Sequence, residues 1–515
     1  MFLDDLIKIL MLVAFFTVMI YVGIRCRKHS GDINRFVLGG RSVGPWLSAF
    51  AYGTSYFSAV IFIGYAGQFG WKFGIASTWI GIGNAMIGSL LAWVILGRRT
   101  RLITQHYHSA TMPQFFGKRF ESNPLKIGAS IIVFLFLIPY TASLFNGLSR
   151  LFNMAFSIDY TTCIIIMSVL TCAYVIIGGY MATAINDFIQ GIIMLVGIVA
   201  VIFAVLNENG GFMTAIASLS QVQDTVNGAT TNPGAFASFF GPDPFSLLSV
   251  VVLTSLGTWG LPQMIGKFYA IKDERSIKKG TIISTVFALI IAGGCYFLGG
   301  FGRLYNIDVA TVGYDAIIPK MLENLSPILI GVIVILVLSA SMSTLSSLVL
   351  TSSSTITIDL IKGHIKKEIT EKSQVSIMRV LIAVFVAISA TIAIFQFNSK
   401  STFIAQLMGL SWGALAGSFL APFLYGLYWK RTTKTAVWVS FVFGTSIMLA
   451  NMFFKTSFPT WLQSPINCGA FAMLTGLVIV PLVSLFTKKP SQDNIEKAFA
   501  SYDRIVTTHA KEYLE

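Results

Sequence analysis

The chain has 515 residues, of which 55% are hydrophobic and only 11% charged, with a net charge of +14 and a mean hydropathy of +0.75. Repeated apolar stretches of about 18 or more residues exclude a soluble domain and mark a polytopic α-helical membrane protein. A membrane β-barrel would instead show short alternating segments, which are absent.

Asp4 and Asp5 precede the first apolar core, where a secretory signal would carry basic residues. The core at 6–25 therefore reads as a true span, here called the leader. Twelve further spans follow near 44–69, 75–97, 126–147, 161–179, 186–206, 245–266, 280–300, 326–358, 376–396, 402–428, 436–454 and 466–487. The eighth of these twelve is longer than a bilayer requires, so its end is expected to project into the cytoplasm.

The basic residues divide unevenly between alternate connections. Twenty-nine of the 36 Lys and Arg fall on one side of the thirteen-span scheme and seven on the other. The positive-inside rule then places the N-terminus outside and the C-terminus in the cytoplasm. An odd number of spans is what that orientation demands. The outer connection from Asn207 to Pro244 has no Lys or Arg, is rich in Gly, Ser, Thr and Asn, and is expected to hold a short helix over 213–219.

The five cysteines show no metal-ligand spacing and imply no disulfide framework. No Walker A motif occurs, so nucleotide-driven transport has no support. No paired carboxylates or His-rich cluster sits in the spans, so a membrane enzyme lacks its residues.

Three constellations carry the chemistry. Ser339–Ser354 is dense in Ser and Thr and uncharged. On a helix Ser343, Ser346 and Ser347 share one face, with Thr344 beside them. Neutral oxygens inside a membrane suit a small hard cation; small residues also let helices pack closely. The second constellation is Asp187, the acid at or inside a membrane boundary in the first seven spans. With no basic residue assigned to neighbouring spans, either a bound cation partners it or it is a solvated carboxylate capping its helix. The third is a pair of interrupted spans. The first contains Ala51-Tyr52-Gly53-Thr54-Ser55-Tyr56-Phe57-Ser58-Ala59, and the sixth contains Gly257-Thr258-Trp259-Gly260-Leu261-Pro262-Gln263. Interrupted helices at matching positions of two repeats point to a midplane binding site.

Ordered motifs support a family resemblance. They are Phe36-Val37-Leu38-Gly39-Gly40-Arg41-Ser42, Thr111-Met112-Pro113-Gln114-Phe115-Phe116 with Arg119-Phe120, and Gly178-Gly179 ahead of Asp187. Met342-Ser343-Thr344-Leu345-Ser346-Ser347 and Gly426-Leu427-Tyr428-Trp429-Lys430-Arg431 complete the set. In that order and spacing the chain resembles the sodium/solute symporter family, from the leader through at least the eleventh numbered span. The resemblance implies an all-α fold of 13 transmembrane helices: a leader, a LeuT-like 5+5 inverted repeat and C-terminal helices. The corresponding division is 1–43 for the leader and its loop, 44–206 for the first repeat and 207–244 for the outer loop. Residues 245–430 then form the second repeat, 431–487 two C-terminal helices and 488–515 a cytoplasmic tail. Carried over by motif, the main Na⁺ site comprises Thr54, Phe57, Ala340, Ser343 and Thr344. A second Na⁺ would use Asp187, Ser343, Ser346 and Ser347.

Departures from the proline branch are also visible. Tyr56 stands where those relatives carry an acid, and Thr254 and Thr258 stand where they carry aromatics. The first patch and the Gly260-Leu261-Pro262 turn look more like the sodium/pantothenate branch. Geometry alone nominates Ser58, Ala59, Phe62, Tyr140, Asn146, Thr258, Trp259 and Gln263 as solute contacts, with Trp259 serving either in packing or as a gate. The expected function is Na⁺-coupled import of a small organic solute, either an organic acid such as pantothenate or a monocarboxylate, or an amino acid. A proton-coupled carrier on the same fold is the alternative, and a channel-like or sensory protein a weaker one. The expected partners are that solute and the lipid bilayer of a bacterial plasma membrane, with no nucleic acid or nucleotide. The oligomeric state is left open, a monomer included.

Overall fold

Residues read as spans become helix almost throughout the computed structural model, which describes residues 2–26, 33–156, 158–226, 229–365, 369–399 and 404–506. Parts of the basic connections at 25–41 and 362–379, and the tail beyond 506, lie outside the described residues. The long helices are α1 (Phe2–Cys26), α2 (Pro45–Tyr56), α3 (Asn123–Phe156), α4 (Tyr160–Glu208), α5 (Pro244–Gly257), α6 (Pro262–Tyr269) and α7 (Glu274–Gly299). They continue with α8 (Pro327–Ser354), α9 (Glu371–Ser399), α10 (Ile404–Tyr428), α11 (Lys434–Phe453) and α12 (Pro465–Phe486).

Among the described residues, 12 helical segments are long and apolar enough to cross a membrane, against thirteen expected. The difference lies at the first interrupted span. Its opening half, α2, has 12 residues, or about 18 Å, too short alone for a core of about 30 Å. Helix resumes at Val60 and runs, bent at Gly74 (φ 62°), as far as His106.

Gly179 makes the opposite kind of join. The expected gap between spans 161–179 and 186–206 is a single kinked residue with φ 59° and ψ −160° inside α4. A side chain there would meet the Phe36 ring at 2.9 Å, and only glycine adopts that backbone without strain. The helix turns within one residue.

Burial sorts the helices. In α8 every residue from Val337 to Leu350 is buried, and α2, α3, α4 and α9 pack around it. Outward-facing Phe203, Ile282, Val380 and Phe395 are exposed apolar side chains, as a lipid-facing surface requires. The eighth numbered span continues helically to Lys362, 36 residues in all, which bears out its expected excess length.

The two faces of the bundle are closed differently. On the basic face Arg41 is buried and donates to Thr104 O, Ser109 O and Tyr269 O at 3.2, 2.8 and 3.1 Å. Val43 pairs with the 270–272 strand-like turn by N–H···O bonds of 3.1 and 3.0 Å. On the other face the 207–244 connection holds a helix at Phe212–Gln221, covering the expected 213–219. It presses Phe236 over Arg303, 3.9 Å from the ring centre, while Arg303 donates to Asp224 at 2.7 Å.

Candidate cation and solute site

The site begins with the way α2 stops. Thr54 and Ser55 turn their hydroxyls back onto the carbonyls of Phe50 and Ala51, at 2.8 and 2.6 Å. Such back-bonding weakens a helix. Gly53 lies against the Phe287 ring, which a side chain there would strike at 2.4 Å. Phe57 then leaves the helical region with φ −100° and ψ 115°. A helix that ends leaves its last carbonyls without their own amides. Here two hydroxyls from α8 take the Thr54 carbonyl instead.

Ser343 Oγ lies 3.0 Å from Thr54 O and 3.0 Å from Ala340 O. Thr344 Oγ1 lies 3.1 Å from each of the same two carbonyls. Each hydroxyl has one proton to donate, so two protons serve four contacts. The result is a buried, uncharged and oxygen-rich cluster joining two helices that are distant in sequence. Four of the five expected ligands of the main site are therefore brought together. The fifth, Phe57, stands at the break with its ring stacked on Tyr56 at 4.3 Å. Phe57, Ser58, Phe62 and Ala340 also line a cavity of ≈ 10 Å³ closed by α4 and α7.

Asp187 corrects one expectation. It is buried, but it is not without a basic neighbour: Lys267 Nζ of α6 lies 3.5 Å from its Oδ2. The charge pattern had placed Lys267 in the basic connection after the sixth span; the structure places it inside the protein. The serines expected beside Asp187 are engaged elsewhere. Ser346 donates to Ser343 O at 2.8 Å, while Ser347 reaches Ser343 O at 3.1 Å and Ser55 Oγ at 2.7 Å.

The candidate solute contacts separate into two groups. Ser58, Ala59, Phe62 and Tyr140 are buried near the centre, with Ala59 packed so closely on Gly147 of α3 that a Cβ there would meet it at 3.1 Å. Tyr140 meets Trp412 edge-on at 5.9 Å, and Trp412 stacks on Tyr56 at 5.8 Å. Gln263 lines a second cavity of ≈ 40 Å³ toward the basic face, together with Lys267, Tyr180, Ser347 and Thr355. Its amide has no protein partner.

The others are held by protein groups. Trp259 Nε1 donates to Ile87 O at 3.0 Å and Thr258 to Gly88 O at 3.1 Å. Those carbonyls belong to Asn84–Leu91, a stretch of wide π-type turns. Asn146 bonds Gln396 and accepts from Tyr160. Lys267 and Trp412 were missed in the sequence. Trp412 carried a faint signal, an indole between glycines in Gly409-Leu410-Ser411-Trp412-Gly413.

The model of the sodium:solute symporter family matches residues 36–444. The chain belongs to that family. Among named relatives, the osmoregulated proline transporter OpuE of Bacillus subtilis is 28% identical over 93% of this chain and 94% of its own. The sodium/proline symporter of Haemophilus influenzae is 29% identical over 94% and 96%, and that of Staphylococcus aureus 29% over 93% and 93%. In fold, the chain is similar to a Na⁺-coupled sialic acid symporter in its substrate-bound outward-open state. The TM-score is 0.73 at 17% identity, covering 94% of this chain and 99% of that one. Mhp1, a nucleobase-cation-symport-1 family transporter, superposes with a TM-score of 0.52 at 13% identity, over 91% and 98%. The relatives are named as transporters, in keeping with a family of multi-pass membrane carriers.

Proposed function

We propose that this chain is a Na⁺-coupled symporter that imports a small organic solute by alternating access. The observation that carries the reading is the cluster of Thr54, Ala340, Ser343 and Thr344 oxygens across the broken end of α2 and the middle of α8. A Na⁺ ion there would replace the two hydroxyl-to-carbonyl contacts with cation–oxygen contacts, with the Phe57 carbonyl as a fifth ligand. Binding would tie α2 to α8, and release would let them part. In this reading the chain crosses the membrane thirteen times with two inverted five-helix repeats at 44–206 and 245–430. The basic face is cytoplasmic.

The energetics suffice. One charge moving inward gains about 2.3 kcal/mol per 100 mV, and a tenfold gradient needs about 1.4 kcal/mol. The solute would occupy the space bounded by Ser58, Ala59, Phe62, Tyr140 and the Tyr56–Trp412 wall, and leave past Gln263. Among the described residues no basic side chain bounds this space, so the carboxylate of an amino acid or small organic acid would be held by helix-end amides and hydroxyls. Proline heads the compounds to test because the named relatives are proline carriers.

The test is uptake into proteoliposomes under an imposed Na⁺ gradient and, separately, an equal proton gradient. The panel holds proline, other amino acids, pantothenate, short monocarboxylates and sugars. Accumulation of one class only with Na⁺ is expected. Equal accumulation driven by protons without Na⁺ would overturn the reading.

A further inference from the structure

Two elements that are far apart in sequence enclose one buried charge. Beyond the Gly179 kink, Tyr180 and Asp187 lie seven residues apart on α4, so two helical turns bring them to the same face. α6 restarts at Pro262, after the second helix break, and carries Lys267 in its second turn. The Lys267 ammonium lies 3.5 Å from Asp187 Oδ2 and 5.3 Å from the centre of the Tyr180 ring. Lys267 is 4% exposed and Asp187 0%.

A carboxylate taken out of water needs a counter-charge. It could come from a mobile cation or from the protein itself. Among the described residues neither oxygen of Asp187 has a hydrogen-bonding partner, so the hydroxyls of Ser346 and Ser347, which donate to Ser343 O, do not reach it. A Na⁺ bound to this carboxylate would also sit within a few ångströms of a fixed ammonium, and like charges repel strongly where the dielectric is low. The aromatic face of Tyr180 further holds the ammonium in place.

We propose that Lys267 is the built-in counter-cation of Asp187, standing where a second Na⁺ would otherwise bind, so that this chain couples one Na⁺ to each solute. This rests on the symport reading above and makes it quantitative. It also makes Lys267 a positioning residue: it fixes α6 to α4 without touching the transported ion.

The test is equilibrium ²²Na⁺ binding to the purified full-length protein, combined with the Na⁺ dependence and charge-to-solute ratio of uptake in proteoliposomes. The wild type is expected to bind one Na⁺ and to show first-order Na⁺ dependence. Lys267→Gln, which uncovers Asp187, is expected to bind two and to steepen toward second order. Lys267→Gln/Asp187→Asn and Lys267→Arg are each expected to return to one. Two Na⁺ on the wild type would overturn the proposal and leave symport standing, as would a count of one on a Lys267→Gln protein that melts cooperatively. No Na⁺ on the wild type would overturn both. Should Lys267→Gln fail to fold, the wild-type count decides by itself.

Discussion

Two places in this protein concern positive charge, and they are built on opposite principles. At the α2–α8 contact, Ser343, Thr344, Thr54 and Ala340 offer only neutral oxygens. At the α4–α6 contact a full carboxylate, Asp187, already faces an ammonium. Neutral oxygens can be left without an ion at modest cost, because hydroxyls rotate and donate to the carbonyls themselves. A buried carboxylate cannot be left bare. The first place can therefore exchange its ion each cycle, whereas the second is better suited to hold its charge permanently.

The comparison breaks most readily at the permanent pair. Asp187→Asn strands the Lys267 ammonium in the interior, and losing one partner of a buried pair costs about 3–5 kcal/mol. We expect a marked fall in melting temperature, largely recovered in Asp187→Asn/Lys267→Gln; thermal melts of the two purified proteins decide this. Ser343→Ala/Thr344→Ala removes two oxygens from the exchangeable site. With hydrogen bonds to charged groups worth about 1.5–3 kcal/mol each, the Na⁺ concentration for half-maximal uptake should rise about a hundredfold or more. Stability should change little, the reverse of the Asp187 pattern. Gly53→Ala drives a methyl into the Phe287 ring at 2.4 Å. Overpacking of this kind costs about 1–3 kcal/mol, and a melt together with Na⁺ affinity would show whether the end of α2 has moved.

The smallest effect concerns another buried carboxylate, whose burial outweighs the pull of the Arg150 charge. Asp315, outside the membrane-spanning helices, is pushed up to about 6 by burial and accepts the Ile404 N–H at 3.2 Å. A raised carboxylate binds its proton more tightly when folded, so its contribution favours the fold in acid and is lost as pH rises through about 6. Asp315→Asn should flatten the stability profile between about pH 4 and pH 6 and be indistinguishable from wild type in acid. Melting temperature against pH measures it.

How far the site could be read in advance depended on whether its signal was local. Ser343 and Thr344 stood out because hydroxyls in an apolar run have few reasons to be there, and the small, polar patch at 51–59 announced the helix break. Asp187 stood out for the same reason. Lys267 did not: it is followed within a few residues by Lys272 and Arg275, so a tally of charge by connection absorbs it. Only the restart of helix at Pro262 carries it inward. Trp259 and Thr258 read as solute contacts because they border a break, yet their polar atoms are taken by Ile87 and Gly88. Those acceptors lie on Asn84–Leu91, which is wound in wide turns, a feature its apolar composition does not mark.

The sequence by itself determined that this is a helical membrane protein, roughly where its helices run, and which polar residues sit among apolar ones. Hydropathy and helical period are properties of neighbouring residues, so they survive without a fold. What only the tertiary structure decided is who meets whom. Thr54 meets Ser343 across 289 positions, and Lys267 meets Asp187 across a helix break. A broken helix reorients everything after it, and its freed carbonyls and displaced side chains find partners by packing, not by spacing along the chain.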